Sequence, residues 1–391
     1  MKNQPSVFLA ALLATLIVFI VNGVIPSFVN GYTPGLNFDW FRLLDNALSE
    51  EYFHLRYEHS EYGRRLIVLG IQKWAYDIGI PYQLSFNLIN LVANYCFFYF
   101  GYQLASIKYK SLNPYLFMGF LALSFPILFA YLPVIFTYDD TAQFALLTGF
   151  FLCLYKERRL WAYVLFFLAC LSRETTVLFG TFLPIYFWME KKNLKQLILE
   201  LLPYGFIVIL YVAILFLRMD EQTMSESASY MGGKRFEHFR YNFSDIWRGI
   251  EVTFYITASY LLAFIVLKDR LKKPQLNAIY YSFLSLFVVN LLVCLIATHA
   301  IEARFYTMTL IPIFPLLAPG LQSTWNQLKQ RSNFNSQLLI AALLIGAGLI
   351  SLYHPQVKRA YYVFAPYLFV YFSFCIYLLL LTYNRNKVLE K

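Results

Sequence analysis

Charge is what this sequence has least of. Asp, Glu, Lys and Arg make up 14% of its 391 residues, where an ordinary soluble chain has roughly a quarter. Hydrophobic residues reach 59% and the mean hydropathy is +0.54. A water-soluble fold of this length has no means of hiding so much apolar surface, so the bilayer must be the solvent. Cysteine is scarce as well: Cys96, Cys153, Cys170, Cys294 and Cys375 all fall inside apolar segments. That excludes a disulfide framework or a zinc site built in a loop. There is no internal repeat and no low-complexity tract. There is also no matched pair of interrupted segments in the two halves, which an inverted-repeat transporter would carry. No small-x-small cleavage site follows the first apolar segment, so that segment is expected to be an uncleaved anchor.

Aromatic residues, by contrast, are plentiful: 39 Phe and 32 Tyr, as suits membrane packing and interfacial belts. A hydrocarbon core about 30 Å thick needs roughly 20 apolar residues per helix. By that measure the apolar segments are 7–26, 84–105, 114–136, 141–155, 160–172, 175–189, 197–217, 251–267, 277–297, 306–321, 337–353 and 362–382. The expected fold class is an all-α polytopic membrane helix bundle of about 12 transmembrane helices, with a range of roughly 10–13. Residues 1–391 would form a single transmembrane domain with two long external loops, 27–83 and 218–250. Segments 141–155, 160–172 and 175–189 are short, as helices bent beside a cavity tend to be. Within the first loop, YGRRLIVLGIQKWAYDI (62–78) sets Leu66, Leu69, Ile71, Trp74 and Ile78 near one face, which predicts an amphipathic helix in the membrane interface.

The net charge of +10 is an orientation signal rather than a nucleic-acid signature. With the loops so placed, 18 of the 32 Lys and Arg lie on the side of the N-terminus, against 14 on the other. Leaving out the two long loops, the count becomes 18 against 4. This positive-inside bias puts both termini in the cytoplasm, and no nucleic-acid partner is expected.

Four polar clusters then fall at external membrane ends. They are Asp39, in the first loop; Tyr138-Asp139-Asp140, in a predicted tight turn; Arg173-Glu174, between two short apolar runs; and His299 to Arg304, which includes Glu302. A charge at membrane depth costs about 2.5–3.5 kcal/mol on insertion scales, so such residues usually face a cavity and have a partner. Read together, Asp39 suits a general base on an acceptor hydroxyl. Asp139 and Asp140 suit a divalent metal, Mg or Mn, through oxygen ligands. Arg173 and Arg304, with Arg64 or Arg65, suit the phosphate of a lipid-linked donor. Plainer roles fit the same residues. Asp39 also suits a solvated loop, Asp139-Asp140 a helix N-cap, and Arg173-Glu174 and Glu302/Arg304 simple ion pairs. Composition and spacing define an external polar site and no reaction.

At these clusters the chain resembles the integral-membrane glycosyltransferases of the GT-C class. These polyprenyl-phosphate-sugar-dependent enzymes include the protein O-mannosyltransferases and the aminoarabinose transferases. The resemblance rests on Asp39 in NFDWF, on Tyr62 to Leu66 before the amphipathic helix, and on the acidic turn Tyr138-Asp139-Asp140. It also rests on LSRETTVL (Leu171 to Leu178) and EARFYTMTLIPIFPLL (Glu302 to Leu317). The resemblance implies that Asp39 corresponds to the catalytic Asp of the first loop and Asp139 or Asp140 to the second-loop carboxylate, with Arg173 and Arg304 near the donor phosphate. It further implies transfer of a sugar from a polyprenyl-phosphate donor to a glycolipid, glycan or protein, at the external face of a bacterial-type inner membrane. Many members pair the first-loop Asp with a second acidic residue; here Phe38 and Trp40 flank it, which leaves metal dependence open. The rival expectation from another class is a transporter or flippase for a lipid-linked glycan. It would need charges through the bilayer, whereas the apolar segments hold little beyond Glu200, near the cytoplasmic end of its helix.

Overall fold

The computed structural model describes residues 4–32, 65–128, 134–191, 193–218, 235–267, 277–297, 300, 304–330 and 369–378. Among these residues every regular element is helical and there is no strand. In chain order the helices are α1 (Gln4–Tyr32), α2 (Leu66–Asp77), α3 (Tyr82–Ala105), α4 (Pro114–Ala122), α5 (Phe125–Leu128), α6 (Val134–Tyr155) and α7 (Arg159–Ser172). A 3-10 helix, Glu174–Gly180, leads into α8 (Phe182–Lys191), α9 (Leu194–Arg218), α10 (Arg235–Asn242), α11 (Ile246–Leu267) and α12 (Asn277–Ala297). Then come α13 (Arg304–Leu310), a 3-10 turn at Ile311–Ile313, α14 (Phe314–Gln330) and α15 (Phe369–Leu378).

Among the described residues, four stretches are long and apolar enough to cross a membrane: Leu194–Leu217, Ile246–Leu267, Ala278–Ile296 and Phe305–Asn326. Three shorter apolar helices, Ser6–Ile20, Arg159–Ser172 and Phe369–Leu378, accompany them. The chain is thus a helical protein of membrane-embedded type. Helix α3 has the length of a span, at 24 residues or about 36 Å, yet its polar residues lower its hydropathy. The reason is its orientation. Ser85, Asn90 and Asn94 are buried in the bundle, while Leu84, Leu88 and Val92 are exposed on the outside. Polar groups facing inward and aliphatic groups facing out are what a lipid solvent selects.

Several elements depart from the sequence expectation. The predicted segment 114–136 is not one helix. Helix α4 stops at Ala122, Ser124 donates its hydroxyl to Leu121 O (2.7 Å), and α5 restarts with Pro126 in its first turn. Proline lacks an N–H and clashes with the preceding turn, so it closes one helix and suits the start of the next. Residues 134–136 belong to α6. In the predicted interfacial helix, the apolar residues divide between two faces. Val68, Leu69 and Ala75 are buried with Gln72, whereas Ile71, Trp74 and Ile78 are exposed. Its end is closed by Gly79 at φ 85°, with Ile80 N–H donating to Ala75 O (2.9 Å), the left-handed cap for which glycine is favoured. The second long loop is partly helical: α10 lies inside it, and α11 begins at Ile246 because Asp245 Oδ1 accepts from Arg248 N–H (2.9 Å).

Aromatic rings fill the core. Phe150 packs on Phe151, Phe166 and Tyr204, and Phe314 packs on Phe97 and Phe117. Helix α14 crosses α11 at Gly320, where an added Cβ would stand 2.2 Å from Val266 O, so only glycine permits that approach. Polar ties fasten the opposite end of the bundle. Asn242 donates to Leu295 O (2.9 Å) and accepts from Ala300 N–H (3.1 Å). Tyr306 donates to Ala300 O (2.5 Å), Asn290 to Phe305 O (3.0 Å) and Thr307 to Pro126 O (2.6 Å). These bonds gather the ends of α5, α10, α12 and α13.

Candidate functional site

Asp139 and Asp140 do not occupy a tight turn. They sit in the second turn of α6, and both are buried. Helix α7 runs back beside α6 and ends at Ser172, after which Arg173 is extended (φ −158°) and Glu174 starts the 3-10 helix. The α6–α7 reversal is tight: Glu157 adopts φ 56° and Arg158 N–H donates to Cys153 O (2.9 Å). The antiparallel hairpin therefore brings the start of α6 level with the end of α7. Ser172 Oγ donates to the backbone O of Asp139 (3.1 Å), which fixes that level.

Arg65, at the head of α2, completes the cluster. Its Nη1 donates to Asp139 Oδ2 (2.9 Å) and its Nη2 to Glu174 Oε1 (3.5 Å). Arg173 Nη1 pairs with Asp140 Oδ1, and its guanidinium lies over the Phe305 ring, 5.7 Å from the centroid. Neighbours on a helix point in different directions, so the two aspartates take different arginines. Four separate stretches of chain thus meet at one end of the bundle: the head of α2, the start of α6, the end of α7 and the start of α13. An uncharged layer lies beneath. Gln143 Nε2 donates to the hydroxyls of Thr175 (2.9 Å) and Thr176 (2.8 Å), Thr176 donates to Ala169 O (2.9 Å), and Thr141 donates to Asn90 Oδ1 (3.0 Å).

The electrostatics follow from this packing. Burial pulls the Arg65 pKa down, but the carboxylates of Glu174, Asp139 and Asp140 outweigh it and hold the guanidinium charged well above its ordinary range. For Glu174, burial pushes upward, while Arg65 and Arg173 together carry it down to about 2. Desolvated charges are stable here only as pairs, since breaking a buried pair leaves an uncompensated ion.

Of the residues singled out in the sequence, Arg65, Asp139, Asp140, Arg173 and Glu174 come together. Asp39, Arg64, His299 and Glu302 lie outside the described residues. Tyr138 is in α6 and Arg304 opens α13, beside the Phe305 that underlies Arg173; the side chains of both are outside the described part. Sequence reasoning missed Gln143, Thr175, Thr176, Asn90 and Gln72. The Gln72 amide is fully buried and finds no hydrogen-bond partner among the described residues. Uncharged polar residues in apolar helices carry little signal on their own; for the two threonines, adjacency to Arg173-Glu174 was the available hint.

Among the described residues the donors of the expected metal are not gathered into one site. The Asp139 oxygen turned toward Arg65 and the Asp140 oxygen turned toward Arg173 meet guanidinium nitrogens. Among the described residues no group of three His, Cys, Asp or Glu side chains converges as a metal site would require.

Among the described residues, a groove and a smaller hollow lie apart from the cluster. A surface groove of about 730 Å³ follows α11 past Ile246, Gly249, Thr253 and Thr257, with Phe243 and Phe254 as walls. It contains none of the five clustered residues, and the Thr253 and Thr257 hydroxyls are bonded to their own helix. A hollow of about 50 Å³ adjoins the Arg159–Glu200 pair with Glu157, Glu190 and Lys191. There the partly exposed Arg159 neutralises the buried Glu200 and ties α7 to α9.

No family model, curated protein or solved structure matches the chain.

Proposed function

We propose that the chain is a membrane glycosyltransferase that moves a sugar from a polyprenyl-phosphate donor to a glycolipid, glycan or protein acceptor. The observation that carries this reading is the convergence of Arg65, Arg173, Asp139, Asp140 and Glu174, from distant parts of the chain, at one end of an apolar bundle. The charge bias of the loops favours that end as the external one, with both termini cytoplasmic. The likeness to the GT-C class suggests a bacterial-type inner membrane, and the apolar segments suggest about twelve spans. The likeness to the GT-C class supplies the reaction.

In that reaction Asp39 removes the acceptor hydroxyl proton. The acceptor oxygen bonds to the anomeric carbon as the bond from that carbon to the phosphate oxygen breaks. The electron pair leaves with the lipid phosphate, and the configuration inverts. Arginines at the cluster receive the growing phosphate charge, which is the kind of preorganised electrostatic stabilisation that lowers such barriers. Arg304, next to Phe305, joins Arg173 in that role. A transporter reading has less support: the described ion pairs sit at the two ends of the bundle, Asp140–Arg173 at one and Arg159–Glu200 at the other.

The test is transfer of labelled sugar from a polyprenyl-phosphate donor by membranes containing the chain. Asp39→Asn abolishes transfer with insertion unchanged, and Arg304→Ala raises the KM for the donor more than that for the acceptor. Full activity in Asp39→Asn removes Asp39 from the mechanism, and an unchanged donor KM removes Arg304 from the donor site.

A further inference from the structure

A groove on the outside of a membrane-spanning helix has hydrocarbon for its solvent, so its occupant is read from what its walls offer to a lipid. The groove of about 730 Å³ follows the first half of α11, which is long and apolar enough to span. Its level is marked by exposed rings and an aliphatic side chain at the start of that helix: Phe239, Tyr241, Trp247 and Ile246. Such a belt sits at the membrane–water boundary. From Ile246 to Thr257 the helix rises about 16 Å. That is close to half of a hydrocarbon core about 30 Å thick. The groove therefore runs from the boundary through one leaflet.

Its floor suits an apolar chain. Gly249 contributes no side chain, and a Cβ added there would meet only the Phe243 ring, at 3.5 Å, so the space above it is open. Thr253 and Thr257 line the floor as well. Each hydroxyl donates to its own helix, Thr253 to Gly249 O (2.9 Å) and Thr257 to Thr253 O (2.8 Å). Hydroxyls turned back in this way offer little to a polar ligand. The mouth is different. Asp245 lines it, exposed, with a carboxylate that accepts from Arg248 N–H (2.9 Å) and from Ser244 Oγ (3.3 Å). The helical turn of α10 continues to Phe243, whose N–H donates to Phe239 O (3.1 Å). Exposed Arg240 therefore stands one turn before that groove wall, and exposed Glu237 one turn before Arg240. Arg248 is matched by Glu251 (2.7 Å) and lies over the Tyr241 ring. The mouth thus shows both signs of charge.

We infer that the groove holds one acyl chain of a zwitterionic aminophospholipid, with the lipid phosphate at Arg240 and its ammonium at Asp245. A lipid carrying only negative charge would meet the same arginine but would also face the two carboxylates, and like charges brought together disfavour a partner. The site lies apart from the charge cluster, and it stands whether or not the protein transfers sugar.

Native mass spectrometry of the full-length protein, released from nanodiscs of phosphatidylethanolamine and phosphatidylglycerol in equal amounts, tests this. The unaltered protein is expected to keep one phospholipid, and that lipid to be phosphatidylethanolamine. Gly249→Leu fills the floor and is expected to lose it. Where that variant fails to fold, Thr253→Phe, at an exposed position, is measured with the same expected loss. Asp245→Asn removes the charge but keeps the helix cap, since asparagine caps as well as aspartate. It is expected to keep a phospholipid and to lose the preference for ethanolamine. No retained lipid, or one that survives filling of the floor, overturns the site. Equal retention of phosphatidylglycerol by the unaltered protein, or an unchanged preference in Asp245→Asn, overturns the head-group assignment. A dimer in place of the lipid-bearing monomer, broken by Gly249→Leu, overturns the lipid in favour of a second copy of the protein.

Discussion

Replacing Arg65 by Met removes a cation from between two carboxylates of different burial. The Asp139 side chain is 0% exposed and Arg65 14%, so their contact at 2.9 Å is a buried pair. The Glu174 side chain is 42% exposed and its contact is longer, 3.5 Å. Removing one partner of a buried pair costs about 3–5 kcal/mol, because the other is left as an unmatched ion. Glu174 also has Arg173 as a second cation, so it is less dependent on Arg65 than Asp139 is. The Asp139 contact therefore dominates, and Arg65→Met is expected to lose about 3–5 kcal/mol of stability. Asp139→Asn leaves Arg65 buried with a weaker partner and also destabilises the protein. The double variant removes both charges, so its loss falls short of the sum of the single losses by about 0.5–3 kcal/mol. The assay is equilibrium unfolding of the full chain in mixed micelles, followed by circular dichroism. A loss under about 1 kcal/mol for Arg65→Met, or strict additivity in the double variant, refutes the buried pair.

Other expectations follow from single contacts. Gly320→Ala drives a methyl into Val266 O at 2.2 Å; backbone cannot swing aside, so α11 and α14 must separate, at a cost of about 1–3 kcal/mol or more, read as a lowered Tm. The Glu174 carboxyl is held at about 2, below its ordinary 4.5. A depressed carboxylate contributes stability above its unfolded pKa and loses it as pH falls through the folded value. Between about pH 4.5 and 2, Glu174→Gln should therefore flatten the fall in stability seen in the unaltered chain; equal slopes refute the pairing. Asn242→Ala strips the partners from Leu295 O and Ala300 N–H, costing about 1–3 kcal/mol for each buried group, and hydrogen exchange at Ala300 should quicken.

Much of the cluster was legible because charge stands out against an apolar background. Asp139, Asp140, Arg173, Glu174 and Arg65 were all picked out by where they fall, since membrane depth makes a lone charge expensive. Their pairing was not legible. Arg65 reaches Asp139 across 74 positions and Glu174 across 109, and only the packing of α2 on α6 and α7 decides which aspartate it meets. The helical setting of Asp139-Asp140 was missed for a local reason. Polar residues near a span's end suggest a turn, whereas here the helix runs from Val134 straight through them. Helix α3 shows the converse limit. Its buried Asn90 and Asn94 lower an average hydropathy that cannot tell which side of a helix faces lipid. Gln143 with Thr175 and Thr176 was invisible for want of charge, although those bonds tie α6 to the 3-10 helix.

The most direct test of the central claim is the release of polyprenyl phosphate from a polyprenyl-phosphate sugar by the purified chain in nanodiscs, with an acceptor extract from the cell envelope. The unaltered chain is expected to release lipid phosphate as sugar passes to the acceptor, and Arg173→Ala, inserted equally well, to release it at least about tenfold more slowly. Equal release by the two, or none from the unaltered chain with any sugar on that lipid, would contradict the account.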